Sequence, residues 1–147
     1  MSKKIKMCVI GAGHGGKAMA AHLATMGFTT NLYNRSDDHI YAIRELGGVD
    51  LESYENGPRG FARLNRVTSN IQEAVEGVNM IMVVVPSSAH ADVAKACAPH
   101  LVDGQVIVLH PGRTCGAIEF AKVLKDNGCT ADVTVSEAET FIYASRS

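Results

Sequence analysis

The stretch "CVIGAGHGGKAMAAHLATMGFTTNLYNRS", residues 8 to 36, contains three glycines in the spacing G-x-G-x-x-G, at Gly11, Gly13 and Gly16. A short apolar run precedes the first glycine, and an alanine-rich run with helical spacing follows the last. In a strand–turn–helix unit these glycines permit a tight turn, let a pyrophosphate approach the backbone, and let the helix pack close to the strand. The pattern predicts a dinucleotide phosphate site over residues 11–16, including His14 and Gly15.

The end of the same stretch departs from the usual pattern. A carboxylate about 20 residues after the glycines normally binds the adenosine ribose, but this chain has Asn34, Arg35 and Ser36 there. A carboxylate would repel a 2′-phosphate, whereas a guanidinium can form a charge-assisted contact with it. We therefore expect NADP(H) to be preferred, with NAD(H) as the alternative cofactor. Two observations weigh against this preference: Asp37 and Asp38 would oppose a phosphate if they point inward, and Arg35 could simply project into solvent.

Composition excludes several classes of protein. The chain has 147 residues, 46% hydrophobic and 20% charged, with a formal net charge of −1, which is typical of one globular domain. These values predict no nucleic-acid and no membrane partner. The first apolar run, "MCVI", is too short for an export signal, so we expect a cytoplasmic protein whose four cysteines are reduced. The six histidines lack metal-ligand spacing, and no metal site is predicted.

Apolar runs alternate with helical patterns along the whole chain. Strands are predicted at residues 5–10, 28–33, 78–86, 105–110 and 132–137. Helices are predicted at residues 14–26, 37–46, 71–77, 88–101 and 117–127, the second capped by Ser36 or Asp37 and the fourth by Ser87 or Ser88. Residues 48–68 are interpreted as a β-hairpin insertion because the Asn56-Gly57 dipeptide separates short fragments. The pattern predicts an α/β, Rossmann-type doubly wound parallel sheet in a single domain, residues 1–147.

Polar residues follow the predicted central strands, in "PSSAH" and "HPGRTCG". Ligands of such sheets lie in the crevice outside the carboxyl ends of the strands. The further candidates for cofactor binding are Val85, Pro86, Ser87, His110 and Arg113. The Arg113 guanidinium could hold an anionic group, and a surface role at the next helix is an equal alternative.

His90 and His110 are candidate general acids, because histidine titrates near neutral pH. We instead favour a structural or cofactor-contact role, since His90 falls on a predicted helix and His110 has no carboxylate partner nearby in sequence. Glu137 and Glu139 end the last predicted strand on the crevice side. They could position the nicotinamide or a second domain. No catalytic residue is assigned.

Four segments together resemble the amino-terminal domain of octopine/nopaline-type opine dehydrogenases. They are "GAGHGGKAMAAHLA", "GFARLNRVTSNIQEAVEGVNMIMVVVPSSAHADVA", "HPGRTCGAIEF" and "SEAETFIYASR". Enzymes of this family reductively condense a 2-oxo acid with an amino acid, taking hydride from NADH or NADPH. The resemblance implies a nicotinamide dinucleotide as partner. It also implies that the catalytic histidine and its acidic partner lie in a carboxy-terminal helical domain that follows the stretch matching "FIYASR". We therefore expect a truncated chain, one piece of a split enzyme that needs a helical catalytic domain or subunit, or a free domain.

Two alternatives remain open. Glycerol-3-phosphate dehydrogenases and ketopantoate reductases are similar to this chain in the plan of their first domain. They place a lysine or an asparagine after the strand where this chain has "HPGR". A stand-alone regulatory nucleotide sensor is similar in length. Such sensors usually keep the acidic residue that is missing at Asn34, and they lack an insertion like residues 48–68.

Overall fold

A computed structural model describes residues 4–147. The helices are α1 His14–Thr25, α2 Tyr41–Leu46, α3 Ile71–Val75, α4 His90–Cys97 and α5 Gly116–Asp126. The strands are β1 Lys6–Ile10, β2 Thr29–Tyr33, β3 Gly48–Leu51, β4 Gly60–Arg63, β5 Arg66–Thr68, β6 Met80–Val83, β7 Val106–Leu109 and β8 Thr134–Glu137.

Six strands form one parallel sheet in the order β5-β2-β1-β6-β7-β8. The chain starts in the middle of the sheet, builds outward to β5 and then returns to build the other half. This order reverses between β1 and β6 and so creates a crevice at the carboxyl ends of these two strands. The predicted α/β, Rossmann-type doubly wound sheet is confirmed.

The sheet is buried on both faces, which explains its continuous apolar strands. In β1, Cys8 and Ile10 pack into one core cluster with α3, α4 and α5, whereas Val9 packs into a second cluster with α1. Helix α1 lies close to the sheet because its inner face carries small side chains, and Ala20 and Ala21 are fully buried. The close packing fixes where the amino end of α1 lies relative to the sheet edge.

The predicted hairpin is confirmed, but its span was too long. β3 and β4 pair antiparallel in a separate two-stranded sheet that lies against α1. Residues 66–68, which were assigned to the insertion, instead form β5, the edge strand that pairs with β2. Three residues beginning with an arginine carry no periodic signal, so only the pairing with β2 makes this segment a strand.

Two helix predictions were wrong in detail. Residues 37–46 divide into a 3₁₀ turn at Asp37–His39 and helix α2, because Ile40 between them has a non-helical backbone and a fully buried side chain. The predicted caps were also wrong: Ser36 precedes the 3₁₀ turn without a side-chain cap bond, Asp37 lies inside that turn, and the N-cap of α2 is Ile40. The predicted helix at 88–101 is α4, which starts later and ends earlier and is preceded by a 3₁₀ turn at Ser87–Ala89. Its N-cap is Ala89, so neither Ser87 nor Ser88 caps it.

One polar residue lies inside an otherwise apolar strand. Asn31 of β2 is 4% exposed, and its amide donates to the Ala74 carbonyl at 2.9 Å and accepts from Asn65 Nδ2 at 2.8 Å. These bonds satisfy a buried amide that would otherwise be costly. Asn31 therefore joins β2 to α3 and to the segment that leads into β5.

Candidate dinucleotide site

The turn from β1 into α1 is packed tightly against other backbone at two glycines, Gly11 before the helix and Gly16 in its first turn. Gly11 has φ +109°, and a Cβ there would lie 2.2 Å from the Val84 carbonyl oxygen. A Cβ on Gly16 would lie 1.7 Å from the Gly11 carbonyl oxygen. Both positions therefore require glycine, one for the turn and its approach to the end of β6, the other for the approach of α1 to the loop.

Gly13 is different, because a Cβ there would meet nothing within 4 Å. It is the N-cap of α1, and its carbonyl accepts the first bond of the helix, from the Lys17 N–H at 3.0 Å. The N–H groups of His14, Gly15 and Gly16 precede that bond and therefore have no acceptor within the helix. The open space at Gly13 and these aligned N–H groups fit a pyrophosphate at the positive end of a 12-residue helix.

Asn34 joins the end of β2 to the glycine loop. Its Oδ1 accepts from the Ala12 N–H at 3.1 Å, and its Nδ2 donates to the Ser36 carbonyl at 3.0 Å. The Asn34 side chain, which replaces the usual carboxylate, is thus hydrogen-bonded to backbone groups of this chain. It holds the two loops side by side and shapes the backbone that presents Arg35.

The residues after Asn34 present a cation to solvent. The Arg35 side chain is 87% exposed, and its nearest acidic partner is Asp92 at 4.0 Å, itself 65% exposed. Asp37 accepts from the two terminal guanidinium nitrogens of Arg44, each at 2.7 Å, and these bonds lower the pKa of the Asp37 carboxyl. One of the two aspartates that would oppose a phosphate is therefore largely neutralised by its own arginine.

The other candidates lie at the ends of β6 and β7. Val85 is half-buried, whereas Pro86, Ser87 and Arg113 are exposed. Arg113 lies in the left-handed region with φ +59°. These residues border the same crevice as the glycine loop, because β1, β6 and β7 are adjacent parallel strands.

Two histidines near this crevice have unpartnered ring nitrogens. His90, the first residue of α4, is 0% exposed, and His110 is half-buried; no ring nitrogen of either meets a hydrogen-bond partner within residues 4–147. Burial lowers the pKa of both histidines, and at His90 the charges of Glu119 and Glu137 and the nearby Val85 backbone partly oppose that shift. Both side chains therefore favour the neutral form.

Glu137 is committed to the fold rather than free in the crevice. Its Oε2 accepts from the Ala117 N–H, at the start of α5, at 2.6 Å. A Cβ on Gly112 would lie 2.2 Å from the Glu137 Cβ, so the loop after β7 approaches β8 very closely. A carboxylate at a helix amino end is stabilised by the helix dipole, which gives Glu137 a structural role.

Sequence reasoning missed the aromatic residues that follow β8. The Phe141 ring lies against Gly15 and the Tyr143 ring against His22, both on α1. The only signal for them in the sequence is the alternation of aromatic residues in "FIY" after a predicted strand. Their contact with α1 depends on the three-dimensional path of the chain.

Other types of site find no support in the residues that the structure describes. In residues 4–147 no three histidine, cysteine, aspartate or glutamate side chains are grouped closely enough to hold a metal ion. No helix in the same range is long and apolar enough to cross a membrane. Cys8 and Cys97 are buried in the same core cluster, and burial raises the pKa of the Cys97 thiol to about 12, so both remain unreactive thiols.

The sequence profile of the family described as "NAD-dependent glycerol-3-phosphate dehydrogenase N-terminus" matches residues 6–117. The chain belongs to this family. A relative named glycerol-3-phosphate dehydrogenase [NAD(P)+], from Moorella thermoacetica, is 34% identical over 105 residues, which cover 71% of this chain and 30% of the relative.

The opine dehydrogenase resemblance is confirmed as well. The opine dehydrogenase of Arthrobacter sp. (strain 1C) is 37% identical over 139 residues, which cover 95% of this chain and 38% of that protein. The structure of octopine dehydrogenase in complex with NADH and agmatine superimposes with a TM-score of 0.80 at 23% identity, covering 95% of this chain and 36% of that one. The chain thus spans less than two fifths of the length of these relatives and corresponds to their dehydrogenase-type α/β domain.

Proposed function

We propose that this chain is the nicotinamide-dinucleotide-binding domain of an opine dehydrogenase-like oxidoreductase. The observation that carries the proposal is the loop at residues 11–16, where Gly13 opens a space in front of the free N–H groups of α1 while Gly11 and Gly16 fix the surrounding backbone. A phosphate in that space would meet hydrogen-bond donors and the positive end of the helix dipole.

The adenosine end favours NADP(H). Arg35 is exposed next to the loop that Asn34 anchors, and Asp37 is paired with Arg44. A 2′-phosphate could therefore accept a charge-assisted bond from Arg35 without facing an unpaired Asp37 carboxylate. Such a bond contributes about 1.5–3 kcal/mol, equivalent to about a tenfold to hundredfold preference for NADP(H).

At the nicotinamide end, this chain would supply residues that line the cofactor site rather than a catalytic proton donor. When bound, the cofactor supplies hydride. Val85, Pro86, Ser87, His110 and Arg113 would border its nicotinamide half, at the carboxyl ends of β6 and β7. The imidazoles of His90, which is buried, and of His110, which is half-buried, favour the neutral form, so each could donate one hydrogen bond and accept another.

By similarity to the opine dehydrogenases, the complete reaction would be reductive condensation of a 2-oxo acid with an amino acid. The catalytic histidine and acid would belong to a helical domain or subunit outside these residues. A glycerol-3-phosphate dehydrogenase-type reaction is the second candidate, because the family profile carries that description. The opine assignment is preferred because the similarity to the Arthrobacter protein extends over 95% of the chain, compared with 71% for the Moorella protein.

The cofactor proposal is tested by titrating the chain with NADPH and NADH and following nicotinamide fluorescence at low and moderate salt. We expect tighter binding of NADPH, and a preference that narrows as salt screens the exposed Arg35. Arg35→Ala should remove most of the preference. Arg63→Ala, which removes an exposed arginine of β4, is the control and should leave it unchanged. Equal affinities in the parent chain, or tighter NADH, would show that Arg35 does not bind a 2′-phosphate.

The reaction proposal needs a separate assay. The chain alone, supplied with NADPH, pyruvate and a panel of amino acids, should show no steady oxidation of NADPH. Adding a helical domain taken from an opine dehydrogenase relative should restore oxidation that depends on both substrates. Oxidation by the chain alone, dependent on both substrates, would place the catalytic groups within these residues.

A further inference from the structure

The residues after β8 return to helix α1. In this carboxyl segment, residues 138–147, the Phe141 and Tyr143 rings pack edge to face with centroids 5.5 Å apart. Both rings pack against the second core cluster, as does Val84, which directly follows β6. The segment therefore lies on the strand–loop–helix unit that carries the glycines.

Gly15 is explained by this segment and not by the glycine motif. A Cβ on Gly15 would lie 2.6 Å from both Cε1 and Cζ of Phe141, and 3.4 Å from Val84 Cγ1. Gly15 lies within α1 and needs no left-handed backbone. Its missing side chain instead makes room for the Phe141 ring against the first turn of the helix.

Polar contacts hold the same segment at three further points of α1. The Tyr143 hydroxyl and His22 Nδ1 are hydrogen-bonded at 2.7 Å, and their rings pack edge to face. Burial raises the pKa of Tyr143, so its hydroxyl remains protonated. The Ser147 N–H donates to His14 Nδ1 at 2.8 Å, and Lys17 Nζ donates to Ser147 Oγ at 3.3 Å.

We propose that Phe141, held by Tyr143, is a positioning residue of the dinucleotide site, which fixes the first turn of α1 so that its N–H groups face the pyrophosphate. This role rests on the proposed function. Phe141 acts through Gly15, whose N–H is one of those free groups. Without the ring, a gap beside the first turn of α1 would let that turn move. Any ligand that carries a pyrophosphate would then bind with lower affinity.

The experiment compares the parent 147-residue chain with Phe141→Ala, Gly15→Ala and the double variant. Phe141→Ala and Gly15→Ala should each weaken both NADPH and NADH by about threefold to tenfold, leaving their ratio unchanged, in contrast to Arg35→Ala. In the double variant the new methyl group occupies space that the ring has left. Its affinity should therefore exceed that of Gly15→Ala alone.

Two readouts separate positioning from a general structural role. Binding of 2′-AMP, which lacks a pyrophosphate, should be the same in the parent and in Phe141→Ala when followed by NMR. Ile142→Ala is the matched control, since Ile142 is 63% exposed between the two aromatic residues, and it should leave dinucleotide affinity unchanged. Phe141→Leu replaces Phe141→Ala if urea unfolding shows that the alanine variant is not folded.

The outcomes are distinguishable. A parent chain that binds neither dinucleotide refutes the proposed function and this role with it. A parent that binds, with a folded Phe141→Ala or Phe141→Leu of equal affinity, refutes the positioning role alone. A double variant no better than Gly15→Ala also refutes it, because the two residues would then act independently.

Discussion

The two ends of the crevice are built in opposite ways. At the β1 and β2 end, Gly13 faces open space and Arg35 is 87% exposed. At the β7 and β8 end, His90 is fully buried and Gly112 is pressed against Glu137. The first end leaves the first N–H groups of α1 without an acceptor in the helix and Arg35 exposed, whereas at the second end the Glu137 carboxylate accepts from the start of α5 and the His90 ring is enclosed by packing.

This difference shows where substitutions should affect the ligand and where they should affect the fold. Removing a group at the open end should change binding with little loss of stability. Removing a group at the closed end should cost stability first. The glycine motif contains both types of position, because Gly16, in the first turn of α1, has no room for a Cβ, whereas Gly13 has.

The largest effect is expected from comparing these two glycines. Gly16→Ala places a Cβ 1.7 Å from the Gly11 carbonyl oxygen, and it should lower the free energy of unfolding by about 3 kcal/mol or more. Gly13→Ala has space and an extended backbone, with φ −71°. It should match or slightly exceed the parent in stability, yet bind NADPH more weakly. Urea unfolding and a dinucleotide titration measure both properties. Equal unfolding midpoints for the two variants would contradict the tight packing of α1.

An intermediate effect is expected at the closed end, from Glu137→Gln. The substitution keeps the shape of the side chain but removes the charge that faces the amino end of α5, where Oε2 accepts from the Ala117 N–H. We expect a loss of about 1 kcal/mol in the free energy of unfolding, reduced at high salt. Glu139→Gln is the control, because Glu139 is exposed like Glu137 but lies beyond the end of β8. Similar losses in the two variants would show that the contact to α5 contributes nothing specific.

The smallest effect is a dependence of stability on pH. Burial holds the pKa of His90 and His110 below the ordinary value of 6.5. As the pH falls below about 6.5, the unfolded chain takes up protons that the folded chain does not, so stability falls until the folded pKa values are reached. His90→Gln should therefore lose less stability than the parent between about pH 7 and pH 5. His39→Gln, at an exposed position, should behave like the parent. An identical pH profile for His90→Gln would show that His90 is not held neutral.

The open end could be predicted from the sequence because its signals are local. The glycine spacing, the preceding apolar run and the "NRS" tripeptide lie within one short stretch. Even there, Asn34 has a bonding role that sequence reasoning did not assign, since its bond to the Ala12 N–H requires two loops to meet. Whether Arg35 binds a 2′-phosphate stays a prediction.

The closed end and the carboxyl segment could not be predicted, because their contacts join residues far apart in the chain. In the sequence, Gly15 cannot be told apart from the other glycines of the motif. Only the structure shows that the Phe141 ring packs against it. The predicted serine caps of α4 were wrong for a related reason. Serine is a common N-cap residue, but at Ser87 and Ser88 the chain makes a 3₁₀ turn before α4 begins.

The buried amide of Asn31 has a consequence for the alignment of the strands. If β2 slipped by one residue, the Asn31 side chain would turn to the opposite face of the sheet, where Leu32 now packs in the second core cluster. There the amide would lose the Ala74 carbonyl and the Asn65 amide as partners. An unsatisfied buried amide costs about 1–3 kcal/mol, more than many single apolar contacts provide. One polar side chain in an apolar strand therefore makes misaligned sheets less stable than the native one.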